Sequence, residues 1–204
     1  MAKASLLKKA SNVFALGKNT KFNALQFINQ SIPGYLNHYQ SIWVCDDDII
    51  IDPAQACQLP DIIRNFGLSV LSPAHSPEGK LSHRIMVQQA GDHFLRFTNF
   101  VEMTCPMFTG PALLDFLHQY DGSLSGFGMD WWYGNVLRMN SAPSGAITDA
   151  ISIVNPHDQQ KTGGHREISS FADDNLRKAE WKQAMEKHKL KEWLHKDLYK
   201  LYRC

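Results

Sequence analysis

Apolar positions in this chain fall into short runs separated by turn residues, and the runs have two different periods. From Lys21 to Asn29, Phe22, Leu25 and Ile28 recur at helical spacing, and Pro33-Gly34 closes the segment. Val13 to Leu16 reads as a short strand that enters a loop at Gly17. Ile42 to Cys45 predicts a buried strand, and it stops at three consecutive aspartates. Asp52 followed by Pro53 is a helix start, a carboxylate cap and then proline at the first helical position; the helix is expected to run to about Phe66 and stop at Gly67. Leu68 to Leu71 predicts a second short strand. Phe94 to Met103, rich in aromatic and β-branched residues, predicts a strand or two strands joined by a bend. Helices are expected over Gly110 to Tyr120 and Met129 to Met139, and a strand over Ala146 to Val154. This alternation predicts an α/β domain with a mainly parallel mixed sheet.

The pattern changes after residue 170. Leu190, Trp193, Leu194, Leu198, Leu201 and Tyr202 follow helical spacing, with Lys and Arg on the other faces. Residues 1–170 are therefore expected to form the α/β domain, and 171–204 a basic amphipathic C-terminal helix. Such a helix packs its apolar stripe on the domain or lies on an anionic membrane surface as a peripheral contact. Glu186, Glu192 and Asp197 speak against the second use.

Composition narrows the class. A chain of 204 residues suits one domain able to bury roughly 70% of its unfolded surface. The formal charge of +1 predicts no bulk attraction to nucleic acid. The four cysteines are scattered, without a CxxC pair, which suggests a reducing compartment and a cytoplasmic location. No apolar run approaches the ~20 residues needed to span a bilayer, and the start carries no signal-peptide pattern.

Three clusters carry candidate chemistry. Asp46, Asp47 and Asp48 stand where a strand ends, the place where open α/β sheets collect ligands. Adjacent carboxylates repel one another, and a hard divalent cation is the natural compensation, with Mg²⁺ taking one or two carboxylates plus phosphate oxygens and water. The bland alternative is a solvated acidic turn. The second cluster, SGFGMDWWYG from Ser125 to Gly134, combines two glycines that permit close approach, Asp130 at a helix start, and two flat indoles. A carboxylate beside aromatic platforms suits a sugar site, where it accepts a proton from an attacking hydroxyl; the alternative is a core helix with Asp130 as its cap. The third, RFTNFVEMTCPMF from Arg96 to Phe108, sets Asn99 and Glu102 in an apolar run. Glu102 is either paired with a cation such as Arg96 or a site residue.

In this order and spacing the clusters resemble a family of bacterial and plant proteins, the domain of unknown function 707 family, whose members are regarded as glycosyltransferases of GT-A-like fold. The resemblance runs from about Lys18 to about Gly164. Lys18 and Lys21-Phe22 resemble the family's K-G-x-K-[FW], and Asp46, Asp47 and Asp48 its D-D-D. Ser82-His83 resembles its S-H, Asn99 to Glu102 its N-F-V-E, and Ser125 to Asp130 its S-G-W-G-L-D with Phe127 in place of tryptophan. Asp149 matches the acid of its I-x-D strand and His157 the histidine of its H-T-R-P. Two departures stand out. Arg-Pro does not follow His157, and seventeen residues precede Lys18 where members carry a longer region that supplies a first strand and helix beside the nucleotide base.

The resemblance implies a nucleotide-diphospho-sugar transferase of GT-A type that passes a sugar from a nucleotide-sugar to a carbohydrate or glycolipid hydroxyl. It implies Asp130 as catalytic base, and Asp48 and His157 as ligands of Mn²⁺ or Mg²⁺. Lys18, Lys21, Asp46, Asp47, Asn99, Glu102, Gly128 and Trp131 are implied as donor- or substrate-binding residues. Two other readings stay open. One is a non-catalytic carbohydrate- or partner-binding remnant of such an enzyme. The other is a phosphotransferase of the haloacid dehalogenase kind, in which Asp46 would be the nucleophile and Asp173-Asp174 would help hold Mg²⁺. Cys105, followed by proline, is not expected to be a nucleophile, and His75, His83 and His93 are too loosely spaced for a zinc site.

Overall fold

The computed structural model describes residues 14, 16, 19–91, 93–160 and 173–203. Helix α1 spans Lys21–Ser31 and starts where the Thr20 side chain accepts from the Asn23 N–H. Strand β1 is Ser41–Trp43. Helices α2 (Pro53–Ala56) and α3 (Leu59–Asn65) follow, then strands β2 (Val70–His75), β3 (His93–Thr98) and β4 (Met107–Thr109). Helix α4 (Gly110–Gln119), helix α5 (Met129–Val136), strand β5 (Gly145–Ile153), helix α6 (Asp174–His188) and strand β6 (Leu198–Arg203) complete the described elements.

The strands form one mixed, open sheet in the order β1-β4-β2-β5-β3-β6. Only β2 and β5 pair in parallel; the other neighbours are antiparallel. The expected α/β class and mixed sheet are present, but a mainly parallel sheet is not. Apolar patterning announces a strand without its direction, and β3, β4 and β6 run against their neighbours. Because β1 and β2 both oppose β4, and β2 parallels β5, the carboxyl ends of β1, β2 and β5 share one edge. The three aspartates, His75 and the approach to His157 lie at those ends.

Alternation along the strands builds a core on each face. Val70 and Phe108 join Phe22, Phe116, Trp132, Tyr133 and Trp181 under α1, α4, α5 and α6. Leu71, Met107, Leu95 and Phe97 face Leu59, Ile62 and Ile63 of α3. At roughly 25 cal/mol per Å² of apolar surface, burying a ring such as Phe22 or Phe116 contributes about 2–3 kcal/mol each.

Several expectations are corrected in detail. The Ile42–Cys45 strand is a half-buried edge strand rather than a buried one, paired on one side with β4 among the described residues. The single helix from Asp52 to Phe66 is two: Pro60, without an N–H, cannot continue the ladder from α2, although Asp52 does accept from the Ala54 N–H and Gly67 does take a left-handed φ of 61°. The C-terminal helix occupies Asp174–His188, ahead of the apolar stripe that predicted it. Lys189 leaves the helix at a φ of 55°, Leu190, Trp193 and Leu194 lie in an irregular segment, and Leu198 to Tyr202 belong to β6, antiparallel to β3. Positions spaced for a helix were captured by the sheet edge, so the amphipathic helix proposed for membrane contact does not form. Among the described residues no helix is long and apolar enough to cross a membrane. The run 13–16 lies largely outside the described residues.

Candidate functional site

The segment 99–106 positions the site. It leaves β3 at Thr98, opposite the start of β5, and crosses to the shared carboxyl edge, where the Val44 N–H donates to the Pro106 carbonyl at 2.9 Å and the Asp46 N–H to the Thr104 carbonyl at 3.1 Å. The Tyr133 hydroxyl donates to the Val101 carbonyl, which ties this crossing to α5. Glu102 is thereby held in the interior, next to the first turn of α5 and the end of β2.

A track of polar groups results. Lys21 Nζ donates to Asp46 Oδ1 at 2.7 Å and to the Thr104 carbonyl at 2.6 Å, so the acidic triplet is joined to the crossing segment. Thr104 Oγ1 donates to Glu102 Oε1 at 2.8 Å. Glu102 Oε2 lies 3.9 Å from His75 Nδ1, too far for a hydrogen bond. Both ring nitrogens of His75 and Glu102 Oε2 are buried and find no hydrogen-bond partner among the described residues. Such groups each cost about 1–3 kcal/mol, and native cores rarely keep them without a reason.

Asp130 stands one turn deeper. Helix α5 starts on Gly128 with no side-chain cap, so Asp130 is not the cap but a buried first-turn residue, 7% exposed. Burial, reinforced by the charge of Glu102, pushes its pKa up to about 7; its own backbone N–H and Lys196 act in the other direction. His83 Nε2 lies 4.0 Å from Asp130 Oδ2. The other nitrogen of that ring, Nδ1, is 2.5 Å from Lys196 Nζ, and the ammonium sits 4.0 Å from the Phe100 ring centre and 5.7 Å from that of Trp131. Desolvation lowers the pKa of His75, His83 and Lys196 alike.

Lys196 reaches this point because the segment after α6 is tied down across the site. Asn99 Oδ1 accepts from the Asp197 N–H at 2.8 Å and its amide donates to the His195 carbonyl at 3.0 Å. Asn135 binds Lys191 through both its N–H and its carbonyl. Trp131 donates from its indole N–H to the Trp193 carbonyl at 3.3 Å and stacks on Trp181.

Of the sequence-predicted residues, Lys21, Asp46, Glu102, Asp130 and Trp131 are brought to this track. Asp47 is exposed beside it, and Lys18 lies outside the described residues. Asn99 is engaged with the C-terminal segment rather than open to a substrate. Gly128 serves packing: its φ is 90° and a Cβ there would lie 2.3 Å from the Trp181 ring, so the close approach it permits is that of a tryptophan. Asp149 is buried in a bidentate pair with Arg96, at 2.7 and 2.9 Å, which removes Arg96 as a partner for Glu102. Burial pushes the Cys105 thiol far up, in keeping with no nucleophilic role. Asp173 caps α6 and Asp174 bonds Arg177, so neither is turned to the acidic triplet's service in these contacts.

For a cation, Asp48 and His157 are on adjoining segments. Ile50 and Val154 exchange N–H···O bonds of 3.0 and 2.9 Å, an antiparallel bridge two residues after Asp48 and three before His157. Among the described residues no group of three or more His, Cys, Asp or Glu gathers as a metal-holding set. Asp48 and His157 bring one carboxylate and one imidazole, a donor set that leaves a divalent ion's other positions to phosphate and water.

Sequence reasoning missed His75, His83 and Lys196 as site members. His75 had a signal, a histidine at a strand end, but the strand was ended four residues early at Leu71. Lys196 had none, since its segment was read as helix.

Comparison with protein-family models, with curated proteins and with solved structures finds no match to this chain.

Proposed function

We propose that this chain is a metal-dependent glycosyltransferase of GT-A type, moving a sugar from a nucleotide-sugar to a carbohydrate or glycolipid hydroxyl. The observation that carries the reading is Asp130: a buried carboxyl with its pKa at about 7, next to Trp131 and within the electrostatic reach of Glu102, which Thr104 and Lys21 link to the strand-end Asp46. A base is most effective when its pKa lies near the working pH. In the proposed reaction the acceptor oxygen attacks the anomeric carbon, its proton passes to Asp130, and the diphosphate leaves with the bonding electron pair. Glu102 and Trp131 shape the sugar side, and Lys21 and Asp46 the donor side. Asp48 and His157 would hold Mn²⁺ or Mg²⁺, which when bound supplies Lewis-acid stabilisation of the departing diphosphate. A cytoplasmic location belongs to the same proposal, in keeping with the free thiols of Cys45, Cys57 and Cys105.

The test is a panel of nucleoside-diphosphate sugars with Mn²⁺, read as nucleoside diphosphate release. Asp130→Asn should slow transfer by ~10²–10⁴-fold with nucleoside diphosphate binding retained, while Asp48→Ala should weaken that binding. Phosphatase activity on simple monoesters that disappears with Asp46→Asn would replace this reading with a phosphotransferase. A carbohydrate-binding protein without turnover is the second reading, favoured by Lys196, which fills the space between His83, Phe100 and Trp131. It predicts sugar binding with no diphosphate release.

A further inference from the structure

Resting on the transferase reading, we propose that His83 and Asp130 together hold the attacking acceptor hydroxyl, and that Lys196 is a positioning residue that fixes the His83 tautomer for this task. Lysine ammonium only donates, so at 2.5 Å the Nδ1 of His83 must accept. The ring proton is then on Nε2, the nitrogen that faces Asp130 Oδ2 across 4.0 Å. That gap is too long for a direct hydrogen bond. It is short enough for one oxygen to lie about 2.8 Å from both atoms, accepting from Nε2–H and donating to the carboxylate. A hydroxyl has one proton to give and lone pairs to receive, so it matches the two walls of the gap.

The surroundings agree with this division of labour. The His83 ring packs in a T-shaped contact with Phe100 at 4.8 Å between centres, which limits its rotation. Lys196 is held over Phe100 and Trp131, and the Asn99 bonds to the backbone at 195 and 197 fix the segment on either side of it. Burial, with the neighbouring ammonium and His75, lowers the His83 pKa against the opposing charge of Glu102 and so favours the neutral ring, in which one nitrogen accepts and the other donates. In the transfer step the hydroxyl oxygen forms the new bond to the anomeric carbon of the nucleotide-sugar while the bond to the diphosphate breaks. The hydroxyl proton goes to Asp130 Oδ2, and the Nε2–H of His83 stays in place, directing a lone pair at the sugar. His83 touches the reacting oxygen; Lys196 acts only through His83.

The two parts have separate readouts. Long-range ¹H–¹⁵N correlation spectra of histidine-labelled protein should place the His83 proton on Nε2 with Nδ1 as acceptor. Lys196→Met should raise the titration midpoint of His83 and loosen the tautomer preference, while K196R keeps both. In the transfer assay with a nucleotide-sugar and Mn²⁺, His83→Asn should lower kcat/KM for the acceptor at least tenfold and leave the KM of the donor unchanged. His83→Gln, whose amide can donate near the position of Nε2, should recover part of the loss. A His83 proton on Nδ1 overturns the inference whatever the turnover, as does a His83→Asn variant that transfers at the wild-type rate. A wild-type protein that cleaves no donor overturns the transferase reading instead, and the Lys196-dependent tautomer then stands as the property of a binding site.

Discussion

Two clusters of titratable side chains lie against the same sheet and are built in opposite ways. In the first, Arg96 and Asp149 bridge β3 and β5, and every strong polar group is matched: the guanidinium also donates to the Ile85 and Val87 carbonyls, and Asp149 Oδ1 also accepts from the Gln89 N–H. In the second, Glu102 faces His75 across 3.9 Å and Asp130 faces His83 across 4.0 Å, and His75 and Glu102 keep buried atoms that find no hydrogen-bond partner among the described residues. The first is complete within the protein. The second leaves buried polar atoms unmatched among the described residues, and that difference makes it the candidate site.

Breaking the complete cluster should have the largest effect. Arg96→Met leaves Asp149 buried and uncompensated, which costs about 3–5 kcal/mol and lowers Tm by roughly 10 °C or more in a domain of this size. Thermal and urea unfolding check this; a shift of a degree or two would mean that the pair is not the staple described.

Substitution in the incomplete cluster should run the other way. The Asp130 pKa is about 7 in the folded protein and ordinary in the unfolded chain, so the native state holds a proton that the unfolded state releases above pH 4. Native stability therefore falls as pH rises from about 4 to about 7, and the whole cost, at most about 4 kcal/mol, is present above pH 7. Asp130→Asn removes the titration. Its stability relative to wild type should rise across that window and level off above it, which urea unfolding at pH 4.5, 6 and 8 would reveal. A constant difference across the three would place Asp130 in an ordinary environment.

Gly128→Ala comes next. It puts a Cβ 2.3 Å from the Trp181 ring at a φ of 90°, and a loss of about 2 kcal/mol is expected from the strain and displacement. Because Trp181 stacks on Trp131, the tryptophan fluorescence should shift as well. The smallest effect belongs to Lys21→Met: its bond to Asp46 is partly solvated, so no more than about 1 kcal/mol should be lost. If nucleoside diphosphate affinity also stays unchanged, Lys21 is a tie between segments and not a donor ligand.

The sequence made some of this visible and hid the rest for identifiable reasons. Helical spacing from Lys21 and from Gly110 located α1 and α4, since their apolar positions face a core on one side. Asp130 and Glu102 stand out because an acid in an apolar run needs an explanation. Strand direction was not legible, since alternation is the same in both directions, and the reading of a mainly parallel sheet failed there. The spacing of Leu190 to Tyr202 predicted a helix because the pairing of β6 with β3 is a long-range event with no local trace. The same long-range pairing conceals Lys196, and the packing of Trp181 on Gly128, rather than substrate approach, accounts for that glycine.

The most direct test of the central claim is the carboxyl titration of Asp130, followed by ¹³C NMR on aspartate-labelled protein with Asp130→Asn as the assignment control. A midpoint near 7 that falls when Glu102 is changed to Gln is the predicted result, because burial and the Glu102 charge together hold the proton on. A midpoint near 4, unmoved by Glu102→Gln, would contradict it and leave Asp130 without the properties of a base.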